Sequence, residues 1–232
     1  MPDIVKQALV VMAKAPVPGT VKTRLCPPLS PDMAAKLYRC FLIDIFQRVI
    51  GGQGALKVLA YTPESARSEF LSLLPAGPFT LVPQRGKNLG ERMAHLFEEL
   101  CQGGHTGISL IGSDSPHLPP EFLQESMEHL KNPRVDVVLG PSEDGGYYLI
   151  GLREPQRGLF QGIPWSTDKV LAETLDRAHH LGLNVALLPR WYDIDTLEDL
   201  RRLFEVGLKQ PHGPFPLETM RFLETHRNQI PF

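Results

Sequence analysis

Short apolar runs, each separated from the next by a stretch of helical period, recur along most of this chain. Residues 8–13 (ALVVMA) are apolar throughout, the pattern of a strand covered on both faces. Similar runs at 56–61, 79–82, 107–111 and 135–139 alternate with helix-patterned segments at 31–50, 64–74, 89–101 and 121–130. That order predicts an α/β fold with a mostly parallel sheet and helices on both faces. The 232 residues, 42% of them hydrophobic, are enough to bury one sizeable core, and a single domain over residues 1–232 is expected.

Local signals set several boundaries. Ser30-Pro31-Asp32 offers an N-cap hydroxyl, a proline at the first helical position and an acid in the first turn. Leu37, Phe41, Ile45 and Val49 follow at a spacing of four and share one stripe, until Gly51-Gly52 stops the helix. At 140–146 (GPSEDGG) the pattern changes, because a turn that short holds no crossover helix. The apolar run 147–152 should therefore be a reversed strand. Ser166 or Thr167 is expected to cap a helix from Asp168 to Leu181, followed by a strand at 184–188 and helices at 197–208 and 217–225. The intervening tail, 210–216, is rich in proline and glycine.

Charge and cysteine usage exclude some classes. Lys plus Arg total 24 against 26 Asp plus Glu, so no basic excess argues for a nucleic-acid polymer, while a small anionic substrate needs only a few local cations. Cys26, Cys40 and Cys101 lie far apart with no CxxC pair, which indicates neither a disulfide framework nor a zinc site. The N-terminus lacks the flanks of a signal peptide and no run approaches a membrane span, so a cytoplasmic protein is expected. Pattern alone leaves the oligomeric state open.

Four constellations carry the chemistry. In residues 110–116 (LIGSDSP), an apolar strand ends on a lone carboxylate, Asp114, where open α/β sheets hold their ligands. One strand-end Asp suffices for magnesium if substrate supplies further oxygens; the alternative is an Asx turn or helix cap before Pro116. The loop after the first strand, residues 14–24 (KAPVPGTVKTR), supplies Lys14, Gly19, Lys22 and Arg24. It is not a Walker loop, because Val21 and Pro16 stand where that motif needs glycine. Lys22 and Arg24 could still neutralise a diphosphate; the alternative is a solvated basic loop stiffened by prolines. Glu143-Asp144-Gly145-Gly146 reads equally as a hairpin turn and as a place where backbone approaches a ligand, with Asp144 able to serve an acceptor hydroxyl. In residues 192–200 (YDIDTLEDL), Asp193 and Asp195 alternate on one face of an extended segment and are candidates for a second metal ligand, while Thr196 with Glu198 and Asp199 makes a helix start. Trp165 could stack on a base or sugar, or simply pack.

The set KAPVPGTVKTRL, IGSDSP, GPSEDGGYYLIG, IPWSTDKV and DIDTLEDL, in that order over roughly residues 8–203, resembles the glycosyltransferase-A-like family of radical-SAM/selenodomain-associated transferases, a group of nucleotide-diphospho-sugar transferase type. The resemblance implies a Rossmann-like mixed sheet with nucleotide bound over the carboxyl ends of the first strands. It implies Asp114 as the acidic site for Mg2+ or Mn2+, Asp193 or Asp195 as a late ligand, and Lys22 with Arg24 as a phosphate-gripping loop. Gln84, Asn88 and Gly90, in QRGKNLGERM, fall where such proteins contact substrate. A full DxD is absent, and the glycine-rich start of typical nucleotidyltransferases is replaced by Ala-Lys-Ala-Pro.

The leading expectation is a metal-dependent transferase using a nucleotide-diphospho-sugar donor, with Asp114 and Asp144 catalytic and Gly145 and Gly146 lining the substrate. The alternatives are a nucleotidyltransferase that joins a nucleoside triphosphate to a phosphorylated acceptor with release of pyrophosphate, and a nucleotide-binding protein without catalysis.

Overall fold

The computed structural model describes residues 6–51, 54–209 and 216–231. Gly52 and residues 210–215 of the proline- and glycine-rich tail lie outside the described residues. Among the described residues, seven strands form one sheet: β1 (Ala8–Lys14), β2 (Leu56–Thr62), β3 (Phe79–Pro83), β4 (Ile108–Ile111), β5 (Val137–Pro141), β6 (Tyr147–Leu152) and β7 (Val185–Leu187). They are ordered β3-β2-β1-β4-β6-β5-β7. β1 pairs in parallel with β2 and β4, β2 with β3, and β5 with β7, whereas β6 runs antiparallel to both β4 and β5. The reversed strand expected after the short turn is therefore β6.

Among the described residues, seven α-helices connect and cover the sheet: α1 (Pro31–Ile50), α2 (Arg67–Leu73), α3 (Leu89–Gln102), α4 (Pro120–Lys131), α5 (Val170–His180), α6 (Leu197–Lys209) and α7 (Leu217–Thr225). Among the described residues, no helix is long and apolar enough to cross a membrane. Ser30 caps α1 by accepting from Met33 N at 3.2 Å, and the Leu37, Phe41, Ile45 and Val49 stripe is buried. Burying such side chains contributes about 1.5–3 kcal/mol each. Strand side chains alternate between two apolar layers, Leu9, Val11 and Leu59 on one face and Val10, Val58 and Ile150 on the other.

Two local expectations are corrected. The segment 64–74 opens as a 3-10 turn, Glu64–Ala66, before α2. Neither Ser166 nor Thr167 caps α5: Ser166 adopts φ 66°, and the helix starts at Val170, after Lys169 and two residues beyond the expected Asp168. Short 3-10 turns at Thr23–Leu25 and Arg157–Phe160 carry no apolar period, so pattern does not reveal them.

A buried acid ties the last helix to the first. Asp44 of α1 accepts from Glu218 N at 2.9 Å, Thr219 N at 2.8 Å and Thr219 Oγ1 at 2.6 Å, satisfying the first turn of α7. Burial raises the Asp44 pKa and these donors oppose the rise. Asp44→Ala strands three donors, at about 1–3 kcal/mol for each that stays unpaired. Urea denaturation should show a loss of about 2–4 kcal/mol. An unchanged midpoint would mean that apolar packing alone docks α7.

Candidate active site

The strand order creates the site. After β1 the chain builds outward to β2 and β3, then returns to place β4 on the other side of β1. The loops leaving the carboxyl ends of β1 and β4 therefore diverge and open a crevice at the switch point, the usual ligand position in such sheets. A cleft of about 440 Å³ lies there. It is lined by the ends of β1 (Met12, Ala13, Lys14) and β4 (Ile111 to Ser115), by Lys22, Gln84 and Arg92, and by Tyr147 at the start of β6.

Lys22 is the electrostatic centre. Its side chain is 3% exposed, and its three ammonium donors meet Asp114 Oδ1 at 2.5 Å, Ile194 O at 2.8 Å and Asp195 Oδ1 at 3.0 Å. Burial opposes the charge, but the two carboxylates outweigh it and raise the Lys22 pKa, so the ammonium is fixed. Its backbone sits at φ 48°, an unfavourable conformation for a lysine that the three contacts hold in place. Asp195 also faces the exposed Arg24 at 3.4 Å.

A hydrogen-bonded frame positions Asp114. Its carbonyl accepts from Ile194 N at 2.9 Å, and Arg48 grips the following turn through Pro116 O at 2.7 Å and Leu118 O at 3.1 Å. Tyr38 of α1 bonds Ser113 at 2.6 Å, and burial pushes the Tyr38 phenol up to about 12. Asp193 takes a hydrogen bond from Ser115 at 2.5 Å and another from Ser142 at 3.0 Å. Burial pushes the Asp193 carboxyl up to about 6, against those hydroxyls. Arg202 chelates Glu143 at 2.7 and 3.2 Å and lies 3.7 Å from the Tyr192 ring centroid, clamping the 142–146 turn to the 191–195 segment.

Of the residues singled out from sequence, Lys14, Lys22, Gln84, Asp114 and Asp193 line the cleft, with Asp195 joined to it through Lys22 and Arg24 in turn through Asp195. Lys14 Nζ donates to Thr20 O, closing the loop that contains Gly19 at φ 76°. Gln84 Nε2 donates to Ala13 O and Ala60 O, which fixes its amide against the strand ends. The remaining residues have mainly structural contacts. Asn88 caps α3 through Glu91 N, and Gly90 lets Trp165 pack against that helix. Exposed Asp144 accepts from Gly146 N at 2.9 Å, and Gly145 adopts φ 88° where a Cβ would collide with the Asp168 carbonyl. Sequence reasoning passed over Tyr38, Arg92 and Tyr147; the tyrosines sit inside apolar patterns that read as core.

The resemblance implies a divalent metal, and the donor set can be tested against one. Asp114 offers a hard oxygen ligand that is 48% exposed at the cleft, with its Oδ1 against the Lys22 ammonium. Among the described residues no three His, Cys, Asp or Glu side chains converge on a common ion. The residues fit an ion of the magnesium type, which takes one or two protein carboxylates and fills its shell with water and substrate phosphates.

Residues 45–167 match the model of DUF2064, a family described as uncharacterised proteins conserved in bacteria. The chain belongs to that family. A crystal structure from Desulfovibrio desulfuricans G20, provisionally assigned as a nucleotide-diphospho-sugar transferase, is 32% identical to this family member with a TM-score of 0.86, covering 98% of this chain and 97% of that one. The 2-phospho-L-lactate guanylyltransferase of Methanothermobacter thermautotrophicus is 25% identical over 204 residues, 87% of this chain and 86% of that protein. A cytidylyltransferase from Leptospira borgpetersenii shares the fold, with a TM-score of 0.58 at 10% identity over 98% of this chain and 97% of that one. The family member thus has the nucleotide-diphospho-sugar transferase fold and is related to transferases that use nucleotides.

Proposed function

We propose that this protein is a metal-assisted nucleotidyltransferase: an acceptor oxygen attacks the α-phosphorus of a nucleoside triphosphate, the bond from that phosphorus to the α,β-bridging oxygen breaks, and pyrophosphate leaves. The observation that carries the reading is the β1 loop, whose Lys14 lines the switch-point cleft together with Asp114 and whose Lys22 is in direct contact with that carboxylate. Such a site suits a polyphosphate that arrives with a divalent ion. The near-full-length similarity to a guanylyltransferase supports nucleotidyl over glycosyl transfer, so this reading replaces sugar transfer as the preferred one.

In the proposed reaction Lys14 and Lys22 bind the phosphates and offset the charge that builds on departing pyrophosphate. Asp114, with Asp193 or Asp195 as a second oxygen donor, would hold Mg2+ or Mn2+. That ion would supply Lewis-acid charge neutralisation at the phosphate oxygens. Tyr38 and Arg48 keep Asp114 in place through Ser113 and the carbonyls of Pro116 and Leu118.

The test is a pyrophosphate-release assay with GTP, CTP, ATP and UTP, with and without Mg2+ or Mn2+, against a panel of small phosphorylated acceptors. Release that needs both a triphosphate and an acceptor is the expected result. Nucleoside diphosphate release from a nucleotide-sugar, without pyrophosphate from any triphosphate, would overturn the reading in favour of sugar transfer.

A further inference from the structure

Three features make Lys22 unusual for a phosphate-binding lysine. Its ammonium lies between Asp114 from the β4 end and Asp195 from the segment before α6, at 2.5 and 3.0 Å. A third acceptor, Ile194 O at 2.8 Å, uses its last donor, and the side chain is almost wholly buried. A buried ammonium with three protein acceptors has no donor left for a phosphate. Phosphate binding and the present contacts are mutually exclusive for at least one of its N–H groups.

We propose that Lys22 is an exchangeable counter-ion: in the metal-free protein its ammonium neutralises the Asp114–Asp195 carboxylate pair, and a divalent cation displaces it toward the phosphates of the incoming nucleotide. This rests on the nucleotidyltransferase reading only for the destination of the displaced lysine. Two cations crowded between the same carboxylates repel strongly at such distances, so metal and ammonium compete for Asp114. A polyphosphate gives the displaced ammonium a new partner. Metal and nucleotide should therefore promote one another's binding, reciprocally, and metal alone should bind weakly. No covalent step is involved; one ionic contact is exchanged for another.

The experiment measures Mn2+ binding to the full chain in the absence of nucleotide, by calorimetry and electron paramagnetic resonance, for the wild type, Lys22→Met and Lys22→Arg. Lys22→Met leaves the carboxylates without their internal cation and should bind Mn2+ about tenfold or more tightly than the wild type. Lys22→Arg keeps the charge and should stay within about threefold of it. Equal, weaker or absent Mn2+ binding by folded Lys22→Met would overturn the proposal. Should that variant fail to fold, the wild type provides a second readout. The 15N signal of the Lys22 ammonium, protected by its three acceptors, should disappear when Mg2+ is added. A signal that persists unchanged at 20 mM Mg2+, about the upper end of a useful titration for a weak site, would equally overturn it. Both readouts omit nucleotide, so they stand even if no triphosphate proves to be a substrate. Pyrophosphate release together with an unchanged metal affinity in Lys22→Met would keep the reaction and remove the exchange.

Discussion

Asp114→Asn is expected to lower triphosphate-dependent turnover by at least about a hundredfold, the scale seen when a group that stabilises developing charge is removed. Asparagine keeps the shape of the side chain and a carbonyl oxygen that can accept from Lys22. The ammonium also retains Asp195 Oδ1 and Ile194 O. The backbone anchors of the turn, from Ile194 N to Asp114 O and from Arg48 to Pro116 O and Leu118 O, do not involve the substituted atoms. The fold should therefore survive with a cost of about 1 kcal/mol, or about 2–4 °C in Tm for a chain of this size. Parallel thermal melts and steady-state kinetics separate the two effects. A variant that melts like the wild type and retains full turnover would remove Asp114 from the chemistry.

The second large effect is on acid stability. His117 is 7% exposed and packs against Trp191 and Tyr192, with ring centroids 5.2 and 4.2 Å away. Neither ring nitrogen has a hydrogen-bond partner among the described residues. Burial, together with the positive charges of Arg48 and Arg202, pushes the His117 pKa down to about 3. In the unfolded chain the same imidazole titrates near 6.5. Because the unfolded state takes up the proton more readily, the group's contribution is intact above about pH 6.5 and is lost as the pH falls toward 3. Near pH 5 the loss is about 2 kcal/mol relative to neutral pH.

His117→Leu removes the titration and strands no partner, so it should be at least as stable at neutral pH and lose less on acidification. Denaturant titrations of both proteins at pH 7, 6 and 5 measure the difference. Parallel curves for the two proteins would mean that His117 is protonated in the folded state after all. Comparison with the variant isolates this residue from Asp44 and Asp193, whose raised carboxyl pKa values act in the opposite direction.

The order of strands and helices was legible because each element leaves a local trace. Apolar runs mark β1, β4 and β5, a stripe repeating every four residues marks α1, and a seven-residue turn without room for a helix announces β6. Asp114 was legible for the same reason, since a lone acid ends an apolar run. The start of α5 was misread because Ser166 and Thr167 have capping chemistry, whereas the chain there turns through a positive φ to bring Asp168 beside Gly145. That approach involves residues far apart in sequence, and no local propensity encodes it.

The amino-acid pattern alone was sufficient for the α/β class, the reversal at β6, the cationic β1 loop and the strand-end carboxylate, all of which depend on chain neighbours. Only the tertiary structure decided that β4 returns beside β1, so that Lys22 meets Asp195 across 173 positions, Asp193 is held by Ser115 and Ser142, and His117 is sealed without a partner. The physical reason is that periodicity reports which face of an element is buried, while sheet order decides what it is buried against.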